Sequence, residues 1–199
     1  MIKNTYRGKF VVLEGLDGSG QSTQASLLRD FFIKRGGQVV LTKEPTRDSE
    51  AGRKIKEILE KRIEINPLKL QKLYAEDRKE HLGNVIIPAL KQGKIVISDR
   101  YFFSSFAYGA AHGADLDELI KLNDDFLYPN VVFLLKVSPE ICFERIGKRG
   151  DPKTLFEKRE QLAKVWKVFE KLPAMFGDVK VIDGEKSIEQ VFEEIKKEL

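Results

Sequence analysis

The chain has 199 residues, is 42% hydrophobic and 33% charged, and carries a formal net charge of +4 from 35 basic and 31 acidic residues. That balance suits one domain with a full core and excludes disordered, collagen-like and coiled-coil chains; the small surplus is not the basic stripe of a nucleic-acid binder, and it matters only if it gathers around an anionic substrate. One cysteine, Cys142 in the apolar run Ile141-Cys142-Phe143, reads as a buried thiol in a reducing compartment, and no apolar run approaches the roughly 20 residues of a membrane span, so the expected location is cytoplasmic with no membrane partner.

In chain order, Phe10-Val11-Val12-Leu13 is a short apolar run that stops at a glycine-rich turn, the pattern of a strand buried on both faces. Ala25, Leu27, Leu28, Phe31 and Phe32 then recur at helical spacing over 22–35, and Gly36-Gly37 closes that helix. A strand over 38–42 follows, then a helix over 49–61. A longer helix starts at Pro67 and runs to Lys91, with Pro88 able to kink it. Strands at 95–98 and 131–135, a helix over 139–146 and a strand at 179–182 lead to a closing helix, where Ser187-Ile188-Glu189-Gln190 resembles a capping box.

Strands alternating with helices predict an α/β fold: a five-stranded, mainly parallel sheet in a three-layer α/β/α sandwich, as one domain over 1–199. Such sheets bind ligands at the carboxyl ends of their strands, here just after Leu13, Thr42, Ser98, Val137 and Ile182. The polar stretch from Gly147 to Lys153 is the best candidate for a mobile loop.

Directly after the first strand comes Gly15-Leu16-Asp17-Gly18-Ser19-Gly20-Gln21-Ser22, followed by Thr23. It fits the phosphate-loop spacing G-x-x-x-x-G-K-[ST], except that glutamine holds the lysine position. Glycines let backbone N–H groups wrap a phosphate, the helix N-terminus favours the anion, and Ser22 is placed to hold Mg²⁺. Gln21 offers a hydrogen bond but no charge, and charge stabilisation is most of what a phosphoryl-transfer enzyme does.

Together with this loop, Glu44-Pro45-Thr46, Tyr74-Ala75-Glu76-Asp77-Arg78, Asp99-Arg100-Tyr101 with Ser104, Ser105 and Tyr108, and the basic segment from Arg145 to Arg149 occur in an order that resembles the thymidylate kinases, of the P-loop nucleoside monophosphate kinase fold. The resemblance runs nearly end to end. It implies a P-loop NTPase fold, the substrates ATP and dTMP, Mg²⁺, and a homodimer. It implies that Asp17 contacts the sugar 3′-hydroxyl, that Arg100 binds the acceptor phosphate, and that Asp99 supports the Mg²⁺ shell or fixes an arginine. Tyr74 and Arg78, four apart on one helix face, would stack on thymine and hydrogen-bond a base carbonyl. Ser105 matches a base-contacting position and Tyr108 one that packs on the sugar. Arg47, with Arg53 as competitor, lies near where some members place a phosphate-binding arginine.

The resemblance also makes 146–153 a lid over the donor triphosphate. Arg149 or Lys148 would close onto the transferring phosphoryl group and partly cover for the missing lysine, with Arg145 near adenine, and Glu157 and Glu160 would either position these cations or coordinate Mg²⁺ through water. Gly15, Leu16, Asp17, Gly18, Ser19, Gly20, Gln21, Ser22 and Thr23 would hold the nucleotide. The reaction implied is ATP plus dTMP giving ADP plus dTDP. Two alternatives stand beside it: a kinase for another nucleotide, and a weakly active or inactive nucleotide-binding relative marked by Gln21.

Overall fold

The computed structural model describes residues 1–61, 63–149 and 159–199, with the backbone alone for Arg149. In chain order the elements are β1 (Ile2–Lys3), β2 (Phe10–Gly15), α1 (Gln21–Lys34), β3 (Val39–Lys43), α2 (Glu50–Lys61), α3 (Pro67–His81), a π-helical turn (Leu82–Ile86), α4 (Ile87–Lys91), β4 (Ile95–Asp99), α5 (Phe102–Ala111) and α6 (Leu116–Leu122). They continue with β5 (Leu127–Tyr128), β6 (Val131–Lys136), α7 (Pro139–Arg149), α8 (Arg159–Phe169), α9 (Leu172–Met175), β7 (Val179–Asp183) and α10 (Ile188–Lys197).

The main sheet has the order β3-β4-β2-β6-β7, every neighbouring pair parallel, so the five-stranded sheet read from the sequence is present. A separate two-stranded parallel pair, β1 with β5, was not foreseen. The sheet's central strand, β2, is buried throughout, and its side chains alternate between two cores. Phe10 and Val12 join the core that includes Ile86, Phe102, Phe106 and Phe169, whereas Val11 and Leu13 join Ala25, Leu28, Val191 and Ile195 under α1 and α10. Helices therefore cover both faces, as a parallel sheet requires. The chain leaves β2 towards β3 on one side and later returns to β6 on the other, so the carboxyl end of β2 is the switch point where ligands bind in such sheets.

Local chemistry sets the ends of several elements. Asn66 caps α3 by accepting from the Lys69 N–H at 3.2 Å, with Pro67 in the first turn, and Ser187 with Gln190 forms the foreseen capping box on α10. The long helix expected over 67–91 is interrupted. Instead of a kink at Pro88, the backbone widens into the π-helical turn ahead of it, because a proline inside a helix removes an N–H and crowds the preceding turn. The helix expected to end at Ile146 continues to Arg149, so Gly147 and Lys148 are helical rather than part of a loop. The rest of the expected lid, with Glu157, lies outside the described residues.

Candidate active site

Two adjoining pockets open at the carboxyl ends of the strands, and Asp17, Lys43 and Arg100 line both. The first lies between the β2 loop, α3 and α5 and brings together Asp17, Tyr74, Arg78, Arg100, Ser105 and Tyr108, all chosen from sequence. The second runs along the glycine loop and is lined by Asp17, Gly18, Ser19, Gly20, Gln21, Ser22, Thr23 and Arg145, together with Gly184 and Lys186 after β7.

The glycine loop is packed from below. Gly18 has φ +85° and a Cβ there would come within 2.6 Å of the Cys142 carbonyl oxygen, so α7 sits too close for any side chain. Cys142 is buried as expected, and burial pushes its thiol up to about 12. Gly15 and Leu16 do not line the pocket. Leu16 is a core residue with 0% exposure, and the Gly15 carbonyl accepts from Gln21 and Arg100 inside the loop.

Gln21 is folded into the loop. Its Nε2 donates to the Gly15 carbonyl at 2.9 Å and its Oε1 accepts from the Ser19 hydroxyl at 3.0 Å, so the carboxamide satisfies the loop's own polar groups. A cation stands nearby. The Lys43 ammonium donates to Asp99 Oδ2 at 2.6 Å and to the Ser22 hydroxyl at 3.3 Å, and Ser22 itself donates to Asp99. Asp99 therefore fixes a lysine, not an arginine, and stands behind Ser22 rather than lining either pocket. Sequence reading missed Lys43, although the strand-end rule already pointed just past Thr42.

Arg100 occupies the junction with φ +75°, the left-handed region, and among the described residues no other non-glycine does so. Such a conformation costs about 1 kcal/mol or more and is held only where surroundings dictate it. Here they do: the Arg100 N–H donates to Leu13, and its carbonyl accepts from the Ser98 hydroxyl at 2.7 Å. The guanidinium donates to the Gly15 carbonyl, to Ser104 and to Asp17 at 2.8–2.9 Å. Three of five N–H groups are thus engaged, leaving two for a phosphate. Asp17 accepts from Tyr108 on its other oxygen at 2.8 Å, and burial raises the Tyr108 hydroxyl well above its ordinary value, keeping it a donor. Tyr74 is raised too, first by burial and then by Asp17.

Arg78 is 1% exposed and held on three sides: it donates to Glu44 at 2.8 Å, to Asn123 at 2.7 Å and to Ser105 at 3.1 Å. His81, outside every sequence motif, touches the second Glu44 oxygen at 3.1 Å and Thr42 at 2.6 Å. Asp77 accepts from the Thr46 N–H and from the hydroxyls of Thr46 and Ser49, tying the loop after β3 to α3. Glu14, fully buried beneath Arg100, accepts from Tyr101 and Ser104; burial raises its carboxyl to about 7 against the opposing pull of those hydrogen bonds and of Arg100.

Other expected residues fall elsewhere. Arg47 is exposed and lines neither pocket, and Arg53 is exposed with a guanidinium nitrogen donating to the Asp48 carbonyl. Asp77 holds Thr46 and Ser49, on either side of Arg47, against α3. Lys148 is exposed on the last turn of α7 and lines neither pocket. Arg145 does reach the second pocket, donating to the Gly184 carbonyl at 3.3 Å.

A glycine loop between the central strand and α1, at the switch point of a parallel sheet and flanked by a second polar pocket, defines a P-loop kinase fold. Comparison with known proteins narrows the class. The family model described as thymidylate kinase matches residues 13–195. A probable thymidylate kinase of Pyrococcus horikoshii is 43% identical over 195 residues, covering 95% of this chain and 94% of that protein. A thymidylate kinase of Caldicellulosiruptor saccharolyticus is 37% identical over 197 residues (96% and 95%), and a probable thymidylate kinase of Archaeoglobus fulgidus 37% over 188 (94% and 92%). The chain belongs to the thymidylate kinase family.

Proposed function

We propose that the protein transfers the γ-phosphoryl group of ATP to dTMP, giving ADP and dTDP, from one kinase domain spanning 1–199. The observation that carries this reading is the sharing of Asp17, Lys43 and Arg100 by the two pockets: donor and acceptor phosphates would meet where two cations stand. The dTMP phosphate oxygen bonds to the γ-phosphorus as the bond to the bridging oxygen of ADP breaks, so positioning and charge carry the step and no protein nucleophile is needed. In this reading Arg100 and Asp17 are catalytic, binding the acceptor phosphate and the sugar hydroxyl. Tyr74, Arg78, Ser105 and Tyr108 hold the nucleoside.

Mg²⁺ fits the site. Ser22 lines the second pocket with its hydroxyl, and the Asp99 carboxylate behind it accepts from that hydroxyl and from Lys43; both are hard oxygen donors of the kind that share this ion with phosphates and water. When bound, the ion would neutralise phosphate charge. Lys43 supports a change in how the missing loop lysine is covered: it already stands beside Ser22, whereas Lys148 stands away from both pockets, so Lys43 takes first place as the compensating cation, with Lys148 and Arg149 of the lid adding to it on closure. Arg145 would flank adenine. A homodimer, on the strength of the family resemblance, and a cytoplasmic location, on the single buried cysteine, complete the reading, and light scattering on the purified chain tests the dimer.

A coupled ADP-release assay across dTMP, dUMP, dCMP, dGMP and UMP tests the reaction. Turnover should be greatest with dTMP; purine monophosphates used equally well would overturn the assignment.

A further inference from the structure

A buried amide in the first pocket has no assigned role. Gln71 lies on α3 three residues before Tyr74 and seven before Arg78, on the same face of the helix, and lines the pocket with them. It is 3% exposed, and its Oε1 has no hydrogen-bond partner among the described residues. A buried acceptor left unpaired costs about 1–3 kcal/mol, so its persistence asks for a partner that arrives with a ligand. Room for this side chain is made by Gly109 of α5: a Cβ there would come within 3.0 Å of Gln71 Cγ and 2.7 Å of Leu119 Cδ1.

We propose that Gln71 reads the pyrimidine ring, its carboxamide oxygen accepting the ring N3–H and its NH₂ donating to a flanking carbonyl. This rests on the first pocket being the dTMP site. The argument is one of complementary edges. Thymine presents an acceptor, a donor and an acceptor in its O4, N3–H and O2; cytosine presents a donor and two acceptors. A carboxamide alone suits either base by rotating. Arg78 does not, because a guanidinium only donates and this one is held by Glu44, Asn123 and Ser105 with two N–H groups left over. A base carbonyl must therefore face Arg78, which places a ring N–H opposite the Gln71 oxygen. With the C4 side of the ring towards Arg78, cytosine would set its amino group against the Arg78 donors.

The test is calorimetric binding of dTMP and of its N3-methyl analogue, in which a methyl group replaces the N3 proton and both carbonyls stay, to the full chain and to Q71M and Q71E. The unaltered protein should favour dTMP by about tenfold to a hundredfold, as sites built to pair a ligand N–H do. Q71M, near in volume but without an acceptor oxygen, should bind dTMP weaker by a similar factor and lose the preference. Q71E keeps an acceptor in place and should retain it. A preference undiminished in Q71M, or abolished in Q71E, overturns the assignment; if Q71M fails to fold, Q71E alone decides. An unaltered chain that binds no dTMP overturns the dTMP reading and this proposal together, and is told apart because no variant is then needed to see it.

Discussion

The two pockets are built by opposite means. The first is walled by side chains whose positions are fixed by other buried side chains: Arg78 by Glu44, Asn123 and Ser105, and Glu44 in turn by His81. The second is walled mainly by the backbone of the glycine loop and by groups that reach in from solvent, such as Lys43, whose side chain is 58% exposed. A buried network loses its geometry when one member goes, because the partners left behind are desolvated and unpaired. A backbone cradle tolerates exchange of a side chain, provided charge is supplied from somewhere nearby. That contrast explains how glutamine can occupy the lysine position of the loop while the nucleoside end keeps every motif residue.

Four measurements can break or sharpen the contrast. The largest effect should come from Arg78→Met, which strips the guanidinium from Glu44, Asn123 and Ser105 in the core and leaves His81 as the remaining side chain against Glu44. Denaturant unfolding should show a loss of about 3–5 kcal/mol, and an effect below 1 kcal/mol would mean the network is not structural. Arg100→Met should leave the fold in place, keep the left-handed backbone at this position, and lower kcat/KM for dTMP by about 10²–10³-fold, the range seen when one charge-stabilising donor is removed.

Third is the pH dependence beneath Arg100. The Glu14 carboxyl rises to about 7 in the folded chain, from about 4.5 unfolded, so the folded state binds the extra proton between those values. Its contribution is full below about 4.5 and is lost as pH climbs to about 7, a decline of about 3 kcal/mol across the window. Glu14→Gln, neutral at every pH, should flatten that slope in thermal melts, and an unchanged slope would assign it to other groups.

The smallest effect should appear at the phosphate loop. Lys43→Met should slow turnover by about tenfold in the native background and much less beside Gln21→Lys, where a loop cation is restored. Equal losses in both backgrounds would return the compensating role to the lid.

Much of the architecture was legible because its signals are local. Phe10-Val11-Val12-Leu13 is apolar on both faces and could only be an interior strand; the glycine spacing after it has few other uses; Ser187 and Gln190 announce a helix start by themselves. Helix α5 was not foreseen from Phe-Phe-Ser-Ser-Phe-Ala-Tyr-Gly-Ala-Ala, since a helix buried nearly all round has no apolar stripe to give a period. Gln71 gave no signal, and Lys43 gave only its place just past Thr42 at a strand end. A polar residue on a helix and a lysine at a strand end are ordinary surface features until the pairing of β3 with β4 sets Lys43 against Asp99, and the approach of α5 to α3 closes over Gln71.

The sequence by itself determined the parallel α/β sandwich and the phosphate loop with its missing cation, because spacing within one segment fixes which residues share a turn or a helix face; the order of its motifs carried the resemblance to the family, and that resemblance singled out Asp17, Tyr74, Arg78, Arg100, Ser105 and Tyr108. Tertiary structure alone decided that Gln21 turns inward, that Lys43 stands beside Ser22, that Arg47 stays outside, and that Gln71 is left with an open acceptor. Each of those depends on which distant element supplies the neighbouring charge, hydrogen bond or steric limit, and a linear order of residues does not contain that distance.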